Sequence, residues 1–232
     1  MLRIDIISAV PQLLQSPLEH SIVGNARDKN LVDIHVHDLR KYSEDKHKKV
    51  DDYPYGGGAG MVLTPQPIFS CIEELQSQRA YDEIIFTAPD GASFNQESAN
   101  KLSISENLIF LCGHYKGIDQ RVIDSLVTKI YSLGDFVLSG GELPTLAMVD
   151  SIVRLLPGAL GDSESALTDS FQNENLLEGP VYTRPAEFRG MQVPSVLRSG
   201  DHQKVKEWRL KQSLERTKEV RPDIYKKFRN EQ

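Results

Sequence analysis

Gly140 and Gly141 sit between an apolar stretch and a proline in Tyr131–Pro144, which reads YSLGDFVLSGGELP. Glycine reaches backbone conformations barred to other residues and lets a ligand approach the main chain. Residues 131–138 place apolar side chains beside peptide groups, a surface suited to a flat heterocycle held by backbone hydrogen bonds. No lysine follows the glycines as in GxxxxGK[ST], so the stretch is a poor phosphate cradle. Pro144 has no N–H to lose at a helix start. Taken alone, the glycine pair also fits an ordinary strand–turn–helix corner. Tyr53–Met61, YPYGGGAGM, packs glycines at 56, 57, 58 and 60. Such a loop either closes on a ligand with its bare N–H groups or serves as a connector, and the tyrosines favour ligand contact. His35 and His37 are spaced to share one face of a strand and could ligate a metal, but no third ligand accompanies them. A solvent-facing strand accounts for them better.

The elements that must position these residues follow from periodicity. Strands are expected at Leu2–Ala9, Leu31–Leu39, Glu83–Thr87, Leu108–Cys112 and Ile130–Leu133. Helices are expected at Gln12–Ile22, from Thr64-Pro65 to about Gln78, at Gln96–Ser103, Asp119–Val127 and Leu146–Leu156. The last carries Leu146, Val149, Val153 and Leu156 on one stripe. Strands alternating with helices predict an α/β domain with a mostly parallel sheet. Three of the strands end in loops holding Pro89, Gly113 and Gly140. Ligands of open α/β sheets bind outside the carboxyl ends of the strands, so the three loops are expected to form one pocket. The GxGxxG dinucleotide fingerprint is absent. Gly158–Pro180 is polar and reads as a linker. Ser199–Thr217 reads as a helix capped by Ser199 or Asp201, with Lys204, Lys211 and Lys218 on one face and Val205 and Trp208 turned inward.

The chain has 232 residues, a net charge of −6 and no apolar run of membrane-spanning length. The N-terminal segment carries Arg3 and Asp5 and reads as a strand and not a signal peptide. Cys71 and Cys112 have no CxxC partner and read as core thiols of a reducing compartment, which points to the cytoplasm. Residues 181–232 hold 13 Lys/Arg against 7 Asp/Glu, a balance of +6, which leaves −12 for residues 1–180. A basic tail on an acidic body suits a polyanionic partner.

Six motifs in order carry a resemblance: YGGGAGM (55–61), GHYKGIDQRV (113–122), SLGDFVLSGGELP (132–144), DSF (169–171), YTRP (182–185) and WRLKQSLERT (208–217). Along nearly its whole length the chain resembles bacterial tRNA (guanine-N1)-methyltransferases of the SPOUT superfamily, which methylate the guanosine 3′ of the anticodon. The resemblance implies a SPOUT-type trefoil-knotted α/β domain over 1–160, a linker over 161–178 carrying the catalytic Asp, and a helical tRNA-binding domain over 179–232. It also implies a homodimer with shared active sites and S-adenosylmethionine as methyl donor. The donor-binding loops then map to Ala88 and Pro89, to Gly113, Tyr115 and Gly117, and to Ser132, Leu133, Gly134, Asp135, Phe136, Val137, Leu138, Gly140, Gly141 and Pro144.

Methylation at N1 of guanine needs a base for the N1 proton and a donor for charge spreading onto the carbonyl oxygen. By the resemblance these are Asp169 and Arg154. Read by spacing alone, Arg154 would pair with Asp150 one turn back, and Asp169 with Gln172 would form a capping box. The chain departs from the family at Lys116, where a Glu is usual. That charge reversal counts against assistance by Mg2+. Two alternatives follow: a SPOUT methyltransferase for another RNA, or a catalytically impaired RNA-binding relative.

Overall fold

The computed structural model describes residues 1–161, 169–172 and 176–230. The chain divides into two compact units, Met1–Gly161 and Asp162–Gln232.

The first unit is built on a five-stranded sheet in which every pairing is parallel: β1 (Leu2–Ser8), β2 (Val32–Asp38), β5 (Glu83–Ser93), β6 (Asn107–Leu111) and β7 (Lys129–Ser132), in the order β2-β1-β6-β5-β7. Successive side chains alternate between faces. Leu2, Ile4, Ile6, Leu108 and Phe110 enter one core; Ile7, Ile109, Leu111, Ile84 and Phe86 enter the other. Both faces are covered, which is why β6 is an apolar run from Leu108 to Leu111. Helices α1 (Gln12–Glu19), α2 (Ser21–Asp28), α4 (Gln96–Ser103) and α6 (Glu142–Val153) belong to the first core. Helices α3 (Pro65–Gln78) and α5 (Gln120–Leu126) belong to the second. A short ribbon, β3 (Asp51–Asp52) against antiparallel β4 (Val62–Leu63), brackets the glycine-rich loop.

Several boundaries differ from the sequence expectation. The single helix expected at Gln12–Ile22 is two, because Ser21 takes a left-handed φ of 58° between them. Strand β5 runs on to Ser93. Thr87 and Ala92 both oppose Tyr131, so residues 88–91 are pushed out of the ladder as a loop. A Cβ at Gly91 would lie 2.7 Å from the Ile130 and Tyr131 backbone, which restricts that return to glycine. Helix α6 begins at Glu142, four residues before the expected start, and Pro144 lies in its first turn, where an N–H is unsatisfied anyway. The histidine face of β2 is not simply solvated. The His37 Nε2 atom is 2.6 Å from Asp5 Oδ1, and His35 Nε2 is 2.6 Å from Asp33 Oδ1.

The second unit holds a small hairpin, β8 (Glu187–Phe188) with β9 (Met191–Gln192), a 3-10 turn at Ser195–Arg198, and two helices, α7 (His202–Val220) and α8 (Pro222–Asn230). Asp201 caps α7 by accepting from the Lys204 N–H at 3.1 Å. Leu177 is strapped to that helix: its N–H donates to Thr217 Oγ1 at 2.9 Å, and its carbonyl accepts from Ser213. Among the described residues no helix is long and apolar enough to cross a membrane.

Candidate active site

Three loops leave the carboxyl ends of β5, β6 and β7 and wall one cavity of about 410 Å³. The first is the 88–91 excursion. In the second, the Gly117 N–H closes on the His114 carbonyl at 3.0 Å, and Tyr115 takes a left-handed φ of 60°. The third, Ser132–Gly141, crosses back over the sheet. Its end forms an antiparallel bridge between Gly140 and His114, and the Gly141 N–H donates to the Gly113 carbonyl at 2.7 Å.

Both glycines of the pair are required by contact. A Cβ at Gly140 would fall 2.3 Å from Glu142 Oε2 and 2.6 Å from His114 Nδ1. A Cβ at Gly141 would fall 2.7 Å from Thr87 Oγ1 and 2.8 Å from the Gly113 nitrogen. The floor of the cavity is therefore main chain, as the sequence suggested. Every expected donor-binding residue lines the cavity except Asp135.

Sequence reasoning missed a polar group beneath that floor. Glu142 is 1% exposed and accepts from Ser8 Oγ at 2.6 Å. Its other oxygen is 3.8 Å from His114 Nδ1, too far for a hydrogen bond. Among the described residues, the His114 Nδ1 and Thr87 Oγ1 atoms are buried without a hydrogen-bond partner. Buried polar atoms left unpaired cost about 1–3 kcal/mol each. The signal for Glu142 was available: it directly follows the glycine pair in the first turn of a helix, where a carboxylate is favoured. Ser8 and Thr87 gave no such signal, since only the parallel sheet brings β1 and β5 to this point.

The glycine-rich loop is tied to the same site. The Lys116 N–H donates to the Met61 carbonyl and the Leu63 N–H to the Gly117 carbonyl, each at 3.0 Å. Lys116 lines the cavity, and its aliphatic stem lies within 3.0–3.4 Å of where a Gly60 Cβ would be. Gly56, Gly57 and Gly58 all have positive φ and nothing within 4 Å of a Cβ position, so that part of the loop stands open. Among the described residues no group of three or more His, Cys, Asp or Glu could hold a metal ion.

The two residues assigned to chemistry lie in different units. Arg154 is half-buried just past the end of α6, its N–H donating to the Asp150 carbonyl at 3.1 Å. Asp169 is half-buried and opens a turn, not the helix that a capping box implies; its carbonyl accepts from the Gln172 N–H at 3.3 Å. The turn is pinched shut by the Phe171 N–H on the Leu176 carbonyl at 2.8 Å, and Phe171 takes a left-handed φ of 70°. A phenylalanine held there is strained backbone, of the kind found at ligand clamps and active sites. Of the expected linker 161–178, residues 162–168 and 173–175 lie outside the described residues.

A family model described as tRNA (Guanine-1)-methyltransferase TrmD matches residues 2–227. Curated relatives named tRNA (guanine-N(1)-)-methyltransferase match over 223 residues. The chain is 58% identical to the one from Christiangramia forsetii, covering 96% of this chain and 98% of the relative. It is 58% identical to that of Chlorobaculum tepidum, covering 96% of each. It is 56% identical to that of Bacteroides fragilis, covering 96% of this chain and 99% of the relative.

Proposed function

The chain belongs to the tRNA (guanine-1)-methyltransferase family, and we propose that it methylates N1 of the guanosine 3′ of the anticodon, using S-adenosylmethionine held in the three-loop cavity. That it is a tRNA (guanine-N1)-methyltransferase follows from the family itself. The donor pocket, the target position and the residue roles are the proposal.

The observation that carries it is the glycine-floored cavity. Its main-chain floor, apolar walls and unpaired Thr87 and His114 atoms fit a flat, polar-edged nucleoside. When bound, S-adenosylmethionine supplies a methyl group on a sulfonium. Leu133, Phe136, Val137 and Leu138 give the apolar contact that excludes water from the transfer. Glu142 and Ser8 fix the corner at Gly140–Gly141 from below. Asp169 accepts the N1 proton of guanine. Arg154 presents a permanently charged planar fork to the guanine carbonyl oxygen, where negative charge develops. A helical C-terminal unit rich in Lys and Arg holds the tRNA, and the protein works in the cytoplasm.

The exposed apolar surface beside the cavity supports a homodimer. Val137 is 91% exposed, Phe136 56% and Leu143 55%, all within eight residues of chain. Large apolar side chains exposed together in one stretch suit an interface. The return of the chain from β7, at the sheet edge, to Gly141 between the ends of β5 and β6 supports the trefoil knot.

Asp169→Ala tests the assignment. With purified tRNA and donor, the methylation rate falls roughly 10²–10⁴-fold, the contribution of one positioned base. Donor binding by calorimetry is unchanged. A variant that methylates at the wild-type rate removes Asp169 from this role. Replacing the guanosine 3′ of the anticodon abolishes transfer; an unaltered rate points to another RNA position.

A further inference from the structure

The Lys/Arg excess of the C-terminal unit is unevenly neutralised. Lys204, at the start of the helix face carrying the heptad lysines, has its Nζ 3.1 Å from Asp201 Oδ2. Lys211 Nζ is 3.9 Å from Glu215 Oε1. Arg221 is paired with Asp223 at 2.7 Å. The guanidiniums of Arg184, Arg198 and Arg209, like the Lys218 ammonium, have neither an ion pair nor a hydrogen bond among the described residues.

Those three arginines come from three separate pieces of chain: the YTRP segment, the 3-10 turn and helix α7. They line a single concavity of about 550 Å³. The lining contains no Asp or Glu. Three like charges gathered round one hollow repel one another, and among the described residues no carboxylate of the lining offsets that cost. Its apolar lining includes Leu197 and Val205, and Tyr182 stands at its side. The Tyr182 ring is braced by Trp208, with centroids 6.4 Å apart and planes tilted by 54°, and half of Tyr182 remains exposed. Guanidinium forks match phosphate oxygens, and a braced aromatic ring offers a face on which a base can stack.

We propose that this concavity, formed by Tyr182, Arg184, Arg198 and Arg209, seats one nucleotide of the tRNA, with its phosphate among the guanidiniums and its base against Tyr182. The proposal rests on the tRNA methyltransferase reading and relocates the main grip from the lysine face of α7 to the arginine hollow.

The test uses the full-length enzyme and an unmodified tRNA transcript, with affinity measured by fluorescence anisotropy across a salt series. Arg198→Ala with Arg209→Ala weakens tRNA binding at least tenfold and lowers the log–log salt slope by roughly 0.7–0.9, the contribution of one phosphate contact. Arg198→Lys with Arg209→Lys retains most of the slope. Tyr182→Leu weakens binding about tenfold and leaves the slope unchanged, whereas Tyr182→Phe binds as wild type. Lys204→Ala with Lys211→Ala changes affinity less than threefold. Calorimetric binding of S-adenosylmethionine, unchanged throughout, shows that the variants are folded. If the arginine pair is replaced without loss of affinity or slope, or the lysine pair costs as much, the hollow is not the grip. In that outcome a wild-type enzyme that still methylates tRNA leaves the functional reading standing. A wild type that neither binds nor methylates the transcript overturns both.

Discussion

Asp5 is fully buried, yet its carboxyl is held well below the ordinary carboxylate range. Burial pushes it up, but bonds from His37 at 2.6 Å, from Arg3 at 2.8 Å and from the Tyr81 hydroxyl at 2.8 Å outweigh burial. Arg3 in turn bridges to Asp33 at 2.7 Å, so the cluster ties β1 to β2. A carboxyl whose folded pKa is depressed stabilises the fold above its unfolded value of about 3.9, and that stability is lost as pH falls towards the folded value. Asp5→Asn therefore costs about 1.5–3 kcal/mol at neutral pH: Arg3 keeps Asp33, but the charge-assisted bonds to the buried carboxylate are lost. In urea melts the gap between variant and wild type narrows as pH is lowered from about 5 towards 2. A gap that stays constant over that range removes the ionised carboxylate as its cause. None of this was visible in the residues themselves. Arg3 and Asp5 read as charges interrupting a strand, and His37 as a solvated one, because their meeting depends on the parallel register of β1 with β2 and on Tyr81 arriving from the loop before β5.

At the level of elements, what could be read was whatever depends on local pattern. Strands β1, β2 and β6 and helix α4 lie within a residue or so of their expected bounds, because alternation, apolar runs and the Asn95 cap are written in neighbouring residues. Hairpin β8–β9 and helix α8 went unread. The strands of the hairpin are two residues each, too short for a period, although Pro222 at the first position of α8 was a usable start signal. The cavity was legible as three loops at strand ends, but its buried base was not. Gly141 shows the difference. The sequence marks it as permissive, and the fold shows that it is squeezed between Thr87 and Gly113. Gly141→Ala pushes apart the ends of β5 and β6, an overpacking cost of about 1–3 kcal/mol. Calorimetry is expected to show donor affinity reduced at least tenfold, with the circular dichroism of the sheet retained. Wild-type affinity in that variant would mean that the glycine corner is not the cofactor floor.

At the scale of the whole molecule, the proposed base and the proposed oxyanion holder belong to different compact units. The proposed homodimer with shared sites makes a sharp prediction. Asp169→Ala and Arg154→Ala homodimers are each inactive. When the two are denatured together and refolded, half of the dimers are mixed, and each mixed dimer has one intact site, so about a quarter of wild-type activity returns. If both residues act within one chain, every site in the mixture carries a lesion and activity stays absent. The measurement is methyl transfer to tRNA at saturating donor, with sedimentation confirming that mixed dimers form.

The strap of Leu177 along α7 has a consequence for the proposed base. Phe171 is pinched to Leu176, and Leu177 is fastened to Thr217 and Ser213, so Asp169 hangs only two residues, roughly 7 Å of chain, beyond a point anchored on the helix. The proposed proton acceptor is therefore fastened within the unit that carries the proposed RNA-binding helix, and not within the unit that holds the cavity.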